Sequence, residues 1–317
     1  MSEAAQAVPP NGPHPFITSA EARLAQPPRT NIVITGASGV GKTTLARTLD
    51  PATTLFIDLE AGTKALADWG GDILKVREVA SKLKVHPWEL CRALASVMCG
   101  PDPAADPNDM GNWYSEVNYQ TYCRHLGGPE AFAKYKTIFW DSATVAARHC
   151  FSWCGAQPEA FSEKTGKPDN RGRYGLHGQE LVRWLTTIQH TQDKSTIIAA
   201  ILNEEVDDLR RVTYSLQLDG GKVKAELPGI FDNIMTLALL PDSDGKEVRA
   251  LICTGINPWG YLAKDRSGAL DTVEPPDLAH IIQKSSAGAR REPLAAALPA
   301  DFAPVVADGG VFNPNIQ

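Results

Sequence analysis

The sequence has no apolar run approaching the roughly 18 residues a membrane-spanning helix needs, which predicts a protein without a membrane segment. It also has no surplus of positive charge: Lys and Arg total 31 against 37 Asp and Glu, a net charge of −6. That balance excludes a chain that coats nucleic acid by bulk charge, so any such contact must come from a local basic patch. The opening MSEAAQAVPP lacks the basic and apolar regions of a secretory leader. A cytoplasmic location is expected, in a bacterial host cell if a phage or prophage encodes the chain. The six cysteines (Cys91, Cys99, Cys123, Cys150, Cys154, Cys253) are scattered and read as buried thiols. Cys150 and Cys154, beside His149, lie one helical turn apart and suit a metal by spacing. No CxxC or HxxxH completes a tetrahedral set, which favours packed thiols.

What is present is a long α/β pattern between two tails. Residues 1–28 hold six of the 23 prolines and no periodic stripe, and 285–317 are rich in Ala and Pro. Both read as flexible tails. Between them NIVIT (31–35), TLFID (54–58), KTIFWD (136–141) and STIIAAIL (195–202) read as buried parallel strands. Stretches 42–49, 87–98, 142–154 and 176–191 read as helices, while 232–240 and 247–255 read as strands joined by PDSDG. The alternation predicts a mainly parallel sheet flanked by helices, ending in antiparallel strands, with ligands at the carboxyl ends of the strands. An aromatic insertion at 100–129 and a polar loop at 155–175 interrupt it. Length alone allows two domains, but removing the tails leaves one domain, 29–284, of about 255 residues.

Directly after the first strand stands GASGVGKT, Gly36–Thr43, a G-x-x-x-x-G-K-[ST] motif in strand–loop–helix context. Gly36, Gly39 and Gly41 let the loop curl so that backbone N–H groups of Gly36, Ala37, Ser38, Gly39, Val40, Gly41, Lys42, Thr43 and Thr44 can cradle a polyphosphate. Lys42 suits the β- and γ-phosphates and the Thr43 hydroxyl suits Mg²⁺. ATP and Mg²⁺ are therefore the expected cofactors, and no N-K-x-D segment argues for GTP. Asp141, closing the apolar run TIFW, is the expected carboxylate for Mg²⁺, and can also cap the next helix. Glu60, just past the second strand, is the expected water-activating base, with Asp58 as its rival.

GASGVGKT, FIDLEAG, TIFWDS and a strand ending at Asn203 together resemble the RecA-like branch of P-loop ATPases. The layout is similar to phage nucleotide-binding proteins grouped with the AAA ATPases, including the Sak-four type of single-strand annealing protein. ELPGIFDNIMTLAL (226–239) and YLAKDRSGAL (261–270) share that resemblance. It implies that Glu60 activates water, that Asp141 is the Walker B aspartate and that Asn203 senses the γ-phosphate. It implies further that Lys264 and Arg266 form a Lys-x-Arg finger reaching a neighbour's site in a homo-oligomeric ring or filament, against a solvated basic turn.

Two loops would then meet single-stranded DNA. The first, 155–175, carries Lys164, Lys167, Arg171, Arg173 and Tyr174, cations with an aromatic that suit a phosphate track and a stacking platform. The second, 204–224, opens with the acidic EEVDD and departs from that pattern. The expected function is a Mg²⁺-dependent ATPase that acts on single-stranded DNA in phage or prophage recombination, with a single-strand DNA-binding protein as a further partner. Two alternatives stand beside it. One is a small-molecule phosphotransferase using Arg171 and Arg173 as lid arginines, and the other a nucleotide-switched assembly factor without turnover.

Overall fold

The computed structural model describes residues 17–287, except 27, 28, 192, 207, 209 and 211. The parts of the expected tails at 1–16 and 288–317 lie outside the described residues. A short helix, α1 (Ala20–Leu24), precedes the sheet.

The central strands form where apolar residues run without interruption. β1 (Asn31–Thr35), β2 (Thr54–Asp58), β4 (Thr137–Asp141) and β5 (Ser195–Ala199) are buried at every position. With β3 (Asp72–Lys75) on one side and β8 (Asn233–Pro241) on the other they make a parallel array in the order β8-β1-β5-β4-β2-β3. β9 (Glu247–Ile252), β10 (Lys264–Asp265) and β11 (Val273–Glu274) extend the β8 side with antiparallel pairing. The expected α/β architecture, a mainly parallel sheet flanked by helices with antiparallel carboxy-terminal strands, is the one observed. One strand, β5, separates the P-loop strand β1 from β4 and its Asp141.

Alternation along the strands assigns each face its own core. Val33, Leu55, Ile57, Ile138, Trp140 and Ile198 face α2 (Val76–Leu83), α3 (Pro87–Cys99), α5 (Ala143–Cys154), α6 (Asn170–Gln189) and α7 (Gly221–Ile230). Ile32, Ile34, Phe56, Phe139 and Ile197 face the turn after the P-loop and α8 (Leu278–Ala287). A period of two buries both sets only if both faces are covered, as they are here.

The insertion 100–129 folds onto this core. Its helix α4 (Glu116–Leu126) is capped by the Ser115 hydroxyl, and its Trp113 lies over the fully buried Arg92 of α3. The guanidinium sits 3.7 Å from the Trp113 ring centroid and 4.1 Å from that of Trp153, and pairs with Glu180 at 2.6 Å. Indole faces and one carboxylate thus replace water around a buried charge.

Five local expectations need correction. The helix read over 42–49 is a 3-10 turn, Thr43–Thr48, because Leu49 is extended and Pro51 cannot continue a helix from Asp50. Helix α6 starts at Asn170 instead of 176, since Asp169 accepts from the Arg171 N–H at 2.9 Å and sets the start early. Loop 155–175 is shortened accordingly. The second loop, 204–224, is no open loop: it holds most of a hairpin, β6 (Leu202–Val206) with β7 (Val212–Leu216), and the start of α7. Asn203 therefore lies inside β6 and not at the end of β5.

Candidate functional site

The P-loop leaves β1 at Gly36, whose position admits no side chain: a Cβ there would stand 2.5 Å from the Leu237 carbonyl oxygen of β8. Gly41 has φ +111°, where a side chain would also press on Arg249. Arg249, on β9, donates from Nε to the Val40 carbonyl at 2.8 Å and braces the loop from outside. Lys42 is buried and folds back under the loop, where Nζ donates to the Gly36 and Ala37 carbonyls at 2.8 Å each. Burial pushes its pKa down, against the pull of Asp141 and Glu60.

The carboxyl ends of β2 and β4 bring the acidic groups to the same place. Asp141, 2% exposed, accepts from the Thr43 hydroxyl at 2.6 Å. Burial pushes its carboxyl up to about 6, and the negative Glu60 and Asp58 add to the rise. A divalent cation would hold that carboxyl ionised, so Thr43 and Asp141 fit the Mg²⁺ of a nucleotide complex. The two candidate bases are separated by their partners. Asp58 is buried and its Oδ1 accepts from the N–H groups of Glu60, Ala61 and Gly62, which fixes the turn after β2. Glu60 is exposed, and its Oε1 accepts from the Ser142 hydroxyl. Ser142 also caps α5 through the Val145 N–H.

Thr44 is exposed on the turn beyond Thr43. The P-loop, Thr43, Asp141 and Glu60 are thus brought together, but other expected residues stand elsewhere. Asn203 lines a cavity of about 290 Å³ with Thr144, Arg148, Gln217 and Lys224, on the α5 side of the hairpin. Lys264 and Arg266 lie at the amino end of the parallel strands, opposite the P-loop, because β10 pairs with the start of β8. Lys264 Nζ donates to the Pro228 and Phe231 carbonyls, while Arg266 reaches the Asp232 carboxylate at 3.0 Å and the Gly229 carbonyl at 3.1 Å. These contacts satisfy carbonyls at the end of α7.

The basic loop divides as well. Ser162 donates its N–H to the Lys167 carbonyl and Phe161 bridges Pro168, so residues 161–168 form a tight hairpin with Lys164 and Lys167 exposed near its tip. Arg171 is exposed at the start of α6. Arg173 instead lies 3.7 Å over the Phe151 ring and donates to the Phe151 carbonyl, while Tyr174 touches the same ring but stays 49% exposed. Three side chains escaped the sequence reading: Ser142, Arg249 and the 41% exposed Phe161. Ser142 was legible as the residue after Asp141. Arg249 carries no local signal, because its partner is 209 residues away.

A family model described as an AAA domain matches residues 29–267. No curated protein matches the chain. Similar solved structures include the RadB recombinase (12% identity, 75% of this chain and 91% of that one, TM-score 0.28). Others are the flagellar accessory protein FlaH from Methanocaldococcus jannaschii (9%, 71% and 78%, 0.27) and the ATPase EscN of the enteropathogenic E. coli type III secretion system (15%, 66% and 43%, 0.26).

Proposed function

The chain belongs to the AAA domain family, and we propose that it is an ATPase that binds ATP with Mg²⁺ and couples hydrolysis to single-stranded DNA. The observation that carries the ATPase reading is the convergence of Thr43, Asp141 and Glu60 on the loop that holds Lys42. The loop N–H groups and Lys42 bind and orient the polyphosphate. Thr43 and Asp141 would hold Mg²⁺, which would supply positive charge to offset that of the β- and γ-phosphates. Glu60 orients and deprotonates the attacking water, because it alone of the two candidate bases is exposed and not committed to backbone donors. Ser142 positions Glu60 through their hydrogen bond.

DNA enters the proposal through the hairpin 161–168. Lys164, Lys167 and Arg171 offer exposed cations and Phe161 an exposed ring in one projecting element, the combination that tracks a phosphate backbone and stacks a base. Arg173 acts as its base, locked onto Phe151, and Tyr174, still 49% exposed beside the same ring, offers a second stacking surface. Lys264 and Arg266 are assigned to the end of α7. Recombination between phage or prophage DNA is the process that this activity would serve, with a homo-oligomer on the strand.

The test is the ATP hydrolysis rate with and without single-stranded DNA, across protein concentration. We expect stimulation by DNA, a rate per chain that rises with concentration, and no nucleotide binding by Lys42→Ala. Turnover indifferent to DNA but raised by a small phosphate acceptor would replace the proposal with a phosphotransferase. Tight ATP binding without turnover would replace it with a nucleotide-switched assembly factor.

A further inference from the structure

The second cluster of reactive side chains lies away from the P-loop, at the far end of α5. Cys150 and Cys154 project from successive turns of that helix, and His177 of α6 closes against them. All three residues are buried, His177 and both cysteines to 0% exposure. One donor atom from each lies within 4.8 Å of the others. Both cysteines are free thiols, with the sulfurs 4.0 Å apart.

That sulfur separation matches a shared metal. Two zinc–sulfur bonds of about 2.3 Å at the tetrahedral angle place the sulfurs roughly 3.8 Å apart. The histidine is oriented for the same purpose. Its Nε2 lies 3.1 Å from the Asp219 carbonyl, which can only accept, so Nε2 carries the proton. Its Nδ1 is then an unprotonated lone pair, buried with no oxygen or nitrogen donor and facing only the Cys154 thiol. A backbone carbonyl that fixes the tautomer and leaves the other nitrogen bare is the usual outer support of a metal-bound histidine.

We propose that Cys150, Cys154 and His177 bind a thiophilic divalent cation of the Zn²⁺ type. Binding releases the two thiol protons to solvent and forms two metal–thiolate bonds and one metal–imidazole bond, with no change of oxidation state. Two thiolates and one divalent cation sum to zero charge, which a fully buried site tolerates, whereas a monovalent cation would leave a net buried negative charge. Three protein donors leave a fourth place for a solvent-derived ligand. His149, the neighbour singled out by sequence, is not part of the set: its ring faces His86 at 6.3 Å.

The cation would staple α5, which begins at the Ser142 cap, to α6, which carries Arg171 and Arg173. It would also close the chain between Cys154 and His177, the segment that contains hairpin 161–168. Closing such a loop limits the freedom of its ends, so removing the cation should loosen the hairpin while leaving the P-loop in place.

The test uses the full chain, reduced and stripped of metal, titrated with Co²⁺ and then with Zn²⁺. The expected result is about one equivalent of Co²⁺ per chain, with intense thiolate-to-cobalt charge-transfer absorption that Zn²⁺ abolishes. Cys150→Ser, Cys154→Ser and His177→Ala should each lose that band, while Cys91→Ser and Cys253→Ser keep it. Proteolysis within 155–169 should run at least several-fold faster in the stripped chain. The titration is made on the unaltered chain, with its circular dichroism recorded, so its outcome does not depend on any variant folding. A folded, reduced chain that develops no thiolate band overturns the proposal. So does a band that survives the double change Cys150→Ser and Cys154→Ser.

Discussion

The hydroxyl of Thr43 donates to the carboxylate of Asp141 at 2.6 Å, joining the end of the P-loop to the end of β4 across an intervening strand. The bond sets the two oxygens proposed to hold Mg²⁺ side by side and leaves an almost fully buried acid beside Glu60 and Asp58.

Asp141 therefore carries a cost that a neutral residue would remove. Its folded-state value, about 6, lies above its ordinary 3.8, so ionisation penalises the folded state. The penalty is absent below the ordinary value, grows between the two and is complete above about 6. A separation of about two pH units corresponds to roughly 3 kcal/mol. Asp141→Asn should raise the melting temperature of the nucleotide-free protein at pH 8 more than at pH 5, and should abolish the stabilisation expected when Mg·ATP is added to the unaltered chain. Thermal scans at the two pH values check this, and a variant equally destabilised at both contradicts the account.

Glu60 and Ser142 should separate base from positioning residue. Glu60→Gln keeps the size of the side chain but removes the base, so ATP binding should persist while turnover falls by about 10²–10⁴. Ser142→Ala leaves the carboxylate in place but untethered. A smaller loss is expected, in kcat and not in ATP affinity. Asp58→Asn should act differently, through the turn it holds by three N–H groups, and should lower stability as well as rate. Normal turnover in Glu60→Gln would remove the assignment.

The insertion earns its place through Arg92. Trp113→Ala uncovers a guanidinium whose Nε and one terminal nitrogen have no hydrogen-bond partner, so the lost ring is replaced by nothing of comparable chemistry. We expect a loss of about 2–4 kcal/mol. Equilibrium urea unfolding reads it. Arg92→Met alongside Trp113→Ala should recover part of the loss, because the buried charge is then gone.

Legibility in the sequence followed burial. β1, β2, β4 and β5 are uninterrupted apolar runs because both faces of the sheet are covered, and the P-loop, Asp141 and Glu60 sit at fixed offsets from their ends. β3 was missed because DILK is a four-residue edge strand that is half exposed. The start of α6 was hidden because its first residues, Asn170 to Gly175, are polar or glycine and carry no apolar stripe. Gly172 is there because a Cβ would meet the Glu159 carbonyl at 2.0 Å. The β6–β7 hairpin buries only Leu216 among its strand residues, so its alternation carries little apolar signal. Cys150 and Cys154 were visible as a pair, but His177 was not, since helix packing and not spacing brings it there.

Hairpin 161–168 gives the sharpest test of the DNA reading, because its cations and its ring are separable from its scaffold. Lys164→Ala with Lys167→Ala should weaken single-stranded DNA binding and flatten the plot of log affinity against log salt by about 0.7 for each phosphate no longer neutralised. Phe161→Ala should weaken binding by about 1–3 kcal/mol without changing that slope, since stacking releases no counterions. Arg173→Ala should act through stability instead, by freeing the Phe151 carbonyl and ring. The three responses, slope, affinity at constant slope, and melting temperature, are read by fluorescence anisotropy at several salt concentrations together with thermal scans. An unchanged salt slope in the double lysine variant would take the hairpin out of the DNA path and leave the acidic body of the protein with no other exposed basic element assigned to it.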